Sequence, residues 1–263
     1  MSEDIRFERG PARRPAPVIT DPMIQWSTGL PTKDRTLYAG WLVEIKDGQD
    51  ELAVAMTDAG VKPVTIKHGS GQFVTHWALP SVRLFLVADG MQTMAEMKQT
   101  PDRYGIAFGW KKQDDGRSKS VLRCRVFVRE LLAVGYDEPL LLTLSGTVTG
   151  DFLAGLERQY AALDAIDALR HEQGKPALNP PFYALSIPFV AGPDVTRGQA
   201  GASKEIAPPL AAIPEPITRA YLLTQYIKAD WAPLIEHHLD ATIAWSISES
   251  KRIASGDSVG IEE

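Results

Sequence analysis

The 263-residue chain predicts an α+β fold: an antiparallel β-barrel with one inserted helix and further helices at its C-terminus. Three observations predict it. Short segments of period-2 alternation recur from residue 36 to residue 144, divided by Gly- and Asp-bearing turns. One long stretch, residues 149–170, repeats apolar side chains at three- and four-residue steps. A Gly-, Pro-, Ala- and Ser-rich stretch then precedes two more helical segments.

The elements follow in order. Residues 1–20 are Arg- and Pro-rich and read as a flexible arm, in which Arg6, Arg9, Arg13 and Arg14 face three acids. Residues 21–190 read as the β-rich core. It begins with an extended entry segment around Trp26 and a strand over 36–45. A short helix over 51–59 is stopped by Gly60, and strands follow over 62–67, 73–79 and 81–88. In the last of these Val82, Leu84 and Leu86 share one face, and Arg83 and Phe85 the other.

The segment 103–112 alternates large residues (Tyr104, Ile106, Phe108, Trp110) with small ones (Gly105, Ala107, Gly109). Its small face lets another layer or a ligand approach closely, and its large face is either core or a stacking platform. Cations stand at its ends: Arg103, Lys111 and Lys112.

Residues 121–129 alternate most regularly. Leu122, Cys124, Val126 and Val128 share a core face, while Arg123, Arg125, Phe127 and Arg129 share the opposite one. The helix over 149–170 ends at Gly174 and Pro176. A Pro-bearing strand over 180–190 reads as bent or at an edge. Residues 191–216 read as a flexible loop, 217–250 as C-terminal helices and 251–263 as a mobile tail.

Composition narrows the function. No apolar run approaches the roughly 20 residues of a membrane span, so no membrane partner is expected. The single cysteine, Cys124, cannot form an internal disulfide, and a cytoplasmic setting is expected. Net charge is −5, but residues 61–130 hold 12 Lys and Arg against 6 Asp and Glu. The middle of the chain is therefore basic and its flanks acidic, which leaves room for a local polyanion site.

Enzyme motifs are incomplete. His68-Gly69-Ser70-Gly71-Gln72 lacks the Lys and Ser/Thr ending of a phosphate loop, and Leu144-Ser145-Gly146-Thr147 lacks the first glycine of a nucleophile elbow. One cysteine and five scattered histidines do not make a zinc set, so no metal and no cofactor are expected.

The cationic and aromatic faces point to a non-catalytic protein that binds single-stranded nucleic acid, DNA first. The candidate contacts are Arg83, Phe85, Arg103, Tyr104, Phe108, Trp110, Lys111, Lys112, Arg123, Arg125, Phe127 and Arg129. Guanidinium groups pair with phosphate oxygens and rings stack on unpaired bases. Two readings stand beside it. One is a homo-oligomer assembled through the C-terminal helices, where a helix over 217–229 is apolar around much of its circumference. The other is an enzyme whose site is brought together only by folding.

The succession Lys62-Pro63-Val64, His68-Gly69-Ser70, Trp77, the Arg83 strand, the 123–129 strand and Leu142-Thr143-Leu144-Ser145-Gly146 running into Phe152 resembles a family of uncharacterised bacterial proteins, found mainly in cyanobacteria and their relatives, over residues 60–190. Some of the same elements resemble single-stranded DNA-binding proteins of phages and plasmids. That resemblance implies a five-stranded Greek-key barrel of the oligonucleotide-binding type, compatible with the order strand, strand, strand, helix, strand. It carries over no catalytic residue. The acidic C-terminal tip of the bacterial versions is reduced here to Asp257, Glu262 and Glu263.

Overall fold

The structure is a computed structural model that describes residues 20–29, 38–67, 73–92, 96, 104–113, 116–197 and 204–256. The strands are β1 (Met23–Thr28), β2 (Ala39–Val43), β3 (Lys62–Lys67), β4 (Phe73–Leu79), β5 (Ser81–Leu86), β6 (Ile106–Lys112), β7 (Ser118–Val128) and β8 (Leu140–Ser145), and from β2 to β8 they follow the alternating segments. β9 (Ile187–Ala191), β10 (Val195–Arg197), β11 (Lys204–Ile206) and β12 (Pro209–Ala211) follow. The helices are α1 (Asp50–Asp58), α2 (Arg129–Leu132), α3 (Val148–Glu172), α4 (Arg219–Gln225) and α5 (Ala232–Ser255).

Ten strands form one sheet in the order β12-β9-β5-β7-β8-β1-β2-β4-β3, with β6 also paired to β7. All of its pairings are antiparallel except β1 with β8. β7 is long enough to hold two neighbours on one edge: β6 pairs with Ser118–Cys124 and β5 with Val126–Val128. The fold is thus α+β with a large, mostly antiparallel sheet. The sheet is not closed: its path ends at β12 on one side and β3 on the other. Near the β12 end the Ala207 amide donates to Thr28 O (3.0 Å) and the Trp26 indole donates to Ala207 O (2.9 Å), without forming a ladder.

Three segments depart from the sequence reading. The entry segment is β1, an interior strand between β8 and β2 that buries Ile24 and Trp26. The stretch expected to be a flexible loop carries β10, β11 and β12, because extended backbone with small and Pro residues can pair without a strong apolar alternation. β9 lies inside the sheet between β12 and β5, despite Pro188.

The two faces of β7 meet different layers. Leu122, Cys124, Val126 and Val128 enter the main core with Phe152, Leu153, Leu156 and Leu163 of α3, and the Cys124 thiol is buried as expected. Trp41 stands edge-on to Trp26, Phe152 and Phe189, with centroids 5.0, 6.2 and 6.0 Å away, and Phe152 stacks on Phe189 at 4.6 Å. Gly155 allows this contact, since a Cβ there would lie 2.8 Å from both Ala211 Cβ and the Phe189 ring. The opposite face is covered by α5. Among the described residues no helix is long and apolar enough to cross a membrane.

Candidate nucleic-acid interface

The period-2 reading of β7 holds, but the face it assigns to Arg123, Arg125 and Phe127 is not open. α5 lies across it. The small residues of β6 are where the helix comes close: a Cβ on Gly109 would meet Ile253 Cγ2 at 2.7 Å and Ser250 O at 3.3 Å. The Phe108 amide, on the outer edge of β6, donates to Ser250 Oγ at 3.0 Å. Gly109→Val is accordingly expected to lower stability by about 1–3 kcal/mol through overpacking, read as a shifted urea midpoint at unchanged slope.

Beneath the helix each cation is matched. Arg123 Nη1 donates to Glu249 Oε1 at 2.7 Å, with both side chains under one tenth exposed. Arg125 grips Asp21 with Nε (2.5 Å) and Nη2 (3.1 Å), and its Nη1 donates to Thr242 Oγ1 (3.3 Å). His238 sits against the same guanidinium, and burial followed by the Arg125 charge lowers its pKa. Burial would raise the Glu249 carboxyl, but hydrogen bonds and charge from Arg252 and Arg123 outweigh it and hold the pKa down.

Phe127 and Phe85 are fully buried with Trp231 and Ile235. Arg83 binds Glu130 at 2.7 Å. Arg129 opens α2, donates to Tyr226 O (3.2 Å) and lies over the Phe85 and Trp231 rings. The expectation of an exposed arginine strand is thus corrected: Arg123 and Arg125 lie beneath α5, and Arg83 and Arg129 are engaged by Glu130 and Tyr226 O.

The remaining candidates divide. Arg103 lies outside the described residues, as does the loop 68–72. Phe108 is buried, and Tyr104 is exposed beside Gly90. Trp110 is 40% exposed, edge-on to Phe108 at 6.0 Å, and Lys111 and Lys112 follow it at the outer end of the β6–β7 hairpin.

Among the described residues, that end brings cations and a partly exposed aromatic ring together. Arg117 precedes β7 and Lys119 lies on it, so the hairpin end carries four cations besides the ring. Asp114 and Asp115 of the turn lie outside the described residues and leave residues 110–119 at a formal +2. Lys111 is directly opposite Lys119 in the ladder.

A cleft of about 360 Å³ opens here, walled by Trp110, Arg117 and Lys119 on one side and by Gly146, Thr147 and Thr149 on the other. The second wall is the N-terminus of the 25-residue α3, where Thr147 makes no side-chain cap. Ser120 Oγ donates to Gly146 O (2.8 Å) and bonds Thr149 Oγ1 (2.7 Å), which fixes the helix start against β7. Amides at a helix N-terminus favour an anion. Sequence reading missed Arg117, Lys119 and the Thr147–Thr149 wall. The sign available for the first two was a pair of cations on each side of one tight turn.

Among the described residues no group of three or more His, Cys, Asp or Glu is placed to hold a metal ion. The apolar residues of α5 pack within the subunit, whereas α4 turns Leu223 outward and Leu222 inward. Comparison with protein-family models, with curated proteins and with solved structures finds no match to the chain. The chemistry of the hairpin end is therefore read from its own side chains.

Proposed function

We propose that the protein binds single-stranded nucleic acid, without catalysis, at the outer end of the β6–β7 hairpin. One observation carries the reading: the 40%-exposed Trp110 lines one cleft with Arg117, Lys119 and the start of α3, whose Thr147 makes no side-chain cap, and Lys111 and Lys112 follow it in β6. A base stacks on the indole, and the phosphates on either side meet the lysines, the guanidinium and the helix amides. A single strand suits this arrangement because its bases are free to stack, and a 360 Å³ cleft admits a nucleotide rather than a duplex. The reading does not require an oligonucleotide-binding barrel. It also does not use Arg123, Arg125 or Phe127.

The test is fluorescence anisotropy of a labelled oligonucleotide against the full chain across a salt series. Binding at low salt is expected, with log K falling against log[salt] at about 0.7 per phosphate neutralised, hence a slope no steeper than about −3 for four cations. Trp110→Ala is expected to weaken binding by about 1–3 kcal/mol, and Lys111→Glu with Lys112→Glu to abolish it at moderate salt. Absence of binding at low salt, or full affinity in the Trp110→Ala protein, overturns the reading.

A further inference from the structure

The last turns of α3, the loop 176–179 and α4 line a cavity of about 270 Å³. Its apolar side is continuous with the core: Ile166 and Leu222 are buried, and Leu169 packs against the same cluster. Leu178 and Leu223 also line it and stay open to solvent, Leu223 by 66%. The walls are fixed by polar bonds. Asp167 accepts from the Leu178 and Asn179 amides at 2.6 and 3.1 Å, and Arg170 Nε donates to Pro176 O at 2.8 Å.

Two of the lining side chains are guanidinium groups, Arg170 and Arg219, and none is a carboxylate. Among the described residues neither arginine forms a salt bridge, although residues 131–263 hold 17 Asp and Glu against 9 Lys and Arg. Arg170 suits the last turn of α3, where a cation is favoured. Arg219 stands in the first turn of α4, the end that disfavours a cation, and its side chain makes no hydrogen bond among the described residues. Folding accounts for the first and not for the second. A third cation is close by, since Lys175 Nζ donates to Oε1 of the lining Gln173 at 3.0 Å. Carbonyls at the end of α3 would repel an anion, but amides already cover two of them. Arg170 O accepts from Gln173 and Lys175 (3.0 and 2.9 Å), and His171 O from Gly174 (2.9 Å).

An apolar hollow bordered by unpaired cations suits an aliphatic tail with an anionic head. We infer that this cavity binds a medium-chain aliphatic carboxylate, its tail against Leu169, Leu222 and Leu223 and its head on Arg170 and Arg219. The planar guanidinium fork matches the two oxygens of a carboxylate. Size sets the chain length. At about 30 Å³ per non-hydrogen atom, the room a water takes in the liquid, the cavity holds about nine such atoms, which fits an acid of about eight carbons. The site lies at the opposite end of α3 from Thr147, about 36 Å along the helix axis. It is separate from the hairpin cleft, and the inference goes beyond the nucleic-acid reading without depending on it.

Titration calorimetry of the full chain with octanoate at neutral pH, where the acid is ionised, tests it together with methyl NMR. One octanoate is expected to bind per chain, with a dissociation constant of about 0.1–1 mM. The methyl signals of Leu169, Leu178, Leu222 and Leu223 are expected to shift. Butanoate is expected to bind on the order of 100-fold more weakly, since each methylene withdrawn from water is worth about fourfold. Octyltrimethylammonium, with the same tail and the opposite charge, is expected not to bind. Arg219→Gln is expected to weaken octanoate about tenfold, and Leu223→Glu to abolish its binding. Both positions are exposed, so the urea midpoint of each variant is expected to match wild type.

Absence of octanoate binding at about 10 mM overturns the inference. So does equal binding of the cationic amphiphile, unchanged affinity in either variant, or methyl shifts centred away from α4. A wild-type dimer that dissociates in Leu223→Glu also overturns it, because a second copy then occupies the cavity. Trp110→Ala is expected to bind octanoate as wild type does, and a loss there would place the ligand at the hairpin and overturn the inference. Failure to bind octanoate with oligonucleotide binding intact rejects only this inference, and the converse result rejects only the nucleic-acid reading.

Discussion

Glu249→Ala is expected to lower the folding stability by about 3–5 kcal/mol, the usual cost of stranding one member of a buried ion pair. Arg123 would be left under α5 with its charge uncompensated, since its Nη1 bond runs to Glu249 at 2.7 Å and its Nε has no hydrogen-bond partner among the described residues. Arg252, which also binds Glu249, is 31% exposed and can turn to water. The loss therefore belongs mainly to Arg123.

A double replacement, Arg123→Met with Glu249→Leu, removes both charges and is expected to recover most of the stability, because the pair itself adds little over packed apolar groups. Urea denaturation of the three proteins checks this. Equal losses in the single and double variants would show that the pair is not what holds this part of α5.

The same carboxylate sets an acid limit. Its folded pKa lies below the ordinary value, so its contribution is fully present above the unfolded pKa of about 4.3 and disappears as pH falls through the lower folded value. Stability measured downward from pH 5 is expected to fall less steeply in Glu249→Gln than in wild type.

Trp41→Ala is expected to cost about 3–5 kcal/mol, measured as a lowered denaturation midpoint at unchanged slope. Trp41 is fully buried and touches rings from three other elements: Trp26 of β1, Phe152 of α3 and Phe189 of β9. Its truncation opens a cavity where the curled sheet meets its helix. Trp41→Phe is expected to cost less than half as much. The indole Nε1 is buried without a hydrogen-bond partner among the described residues, so the smaller ring also removes an unsatisfied donor. A Phe variant as unstable as the Ala variant would show that ring size alone decides.

What the sequence disclosed and what it hid both follow from the range of the interactions. Alternation is local, so the strands over 62–67 and 73–79 and both faces of β7 were legible from a few residues each. Gly105, Ala107 and Gly109 announced a close layer but not which one. β1 was harder to see, because six residues with Ile24 and Trp26 inward say little until β8 pairs with them, 118 positions later (Met23 with Leu141). α5 was hardest. Its buried side includes Thr242, Ser246, Glu249 and Ser250, so the helix does not read as one that covers a sheet. The three arginines looked like an open cationic strip because their partners, Asp21, Glu249 and Tyr226 O, are 97 to 126 residues away.

That polar underside has a consequence for how the chain is made. The strand bearing Arg123 and Arg125, β7, leaves the ribosome well before residues 232–255, and the pairing of distant strands is slow. Until the last helix arrives, the sheet face it will cover displays the Arg123 guanidinium, without Glu249, beside Phe85 and Phe127. The incomplete protein thus shows a charge among the rings on that face, and charge of this kind tempers the sticking that half-built sheets invite.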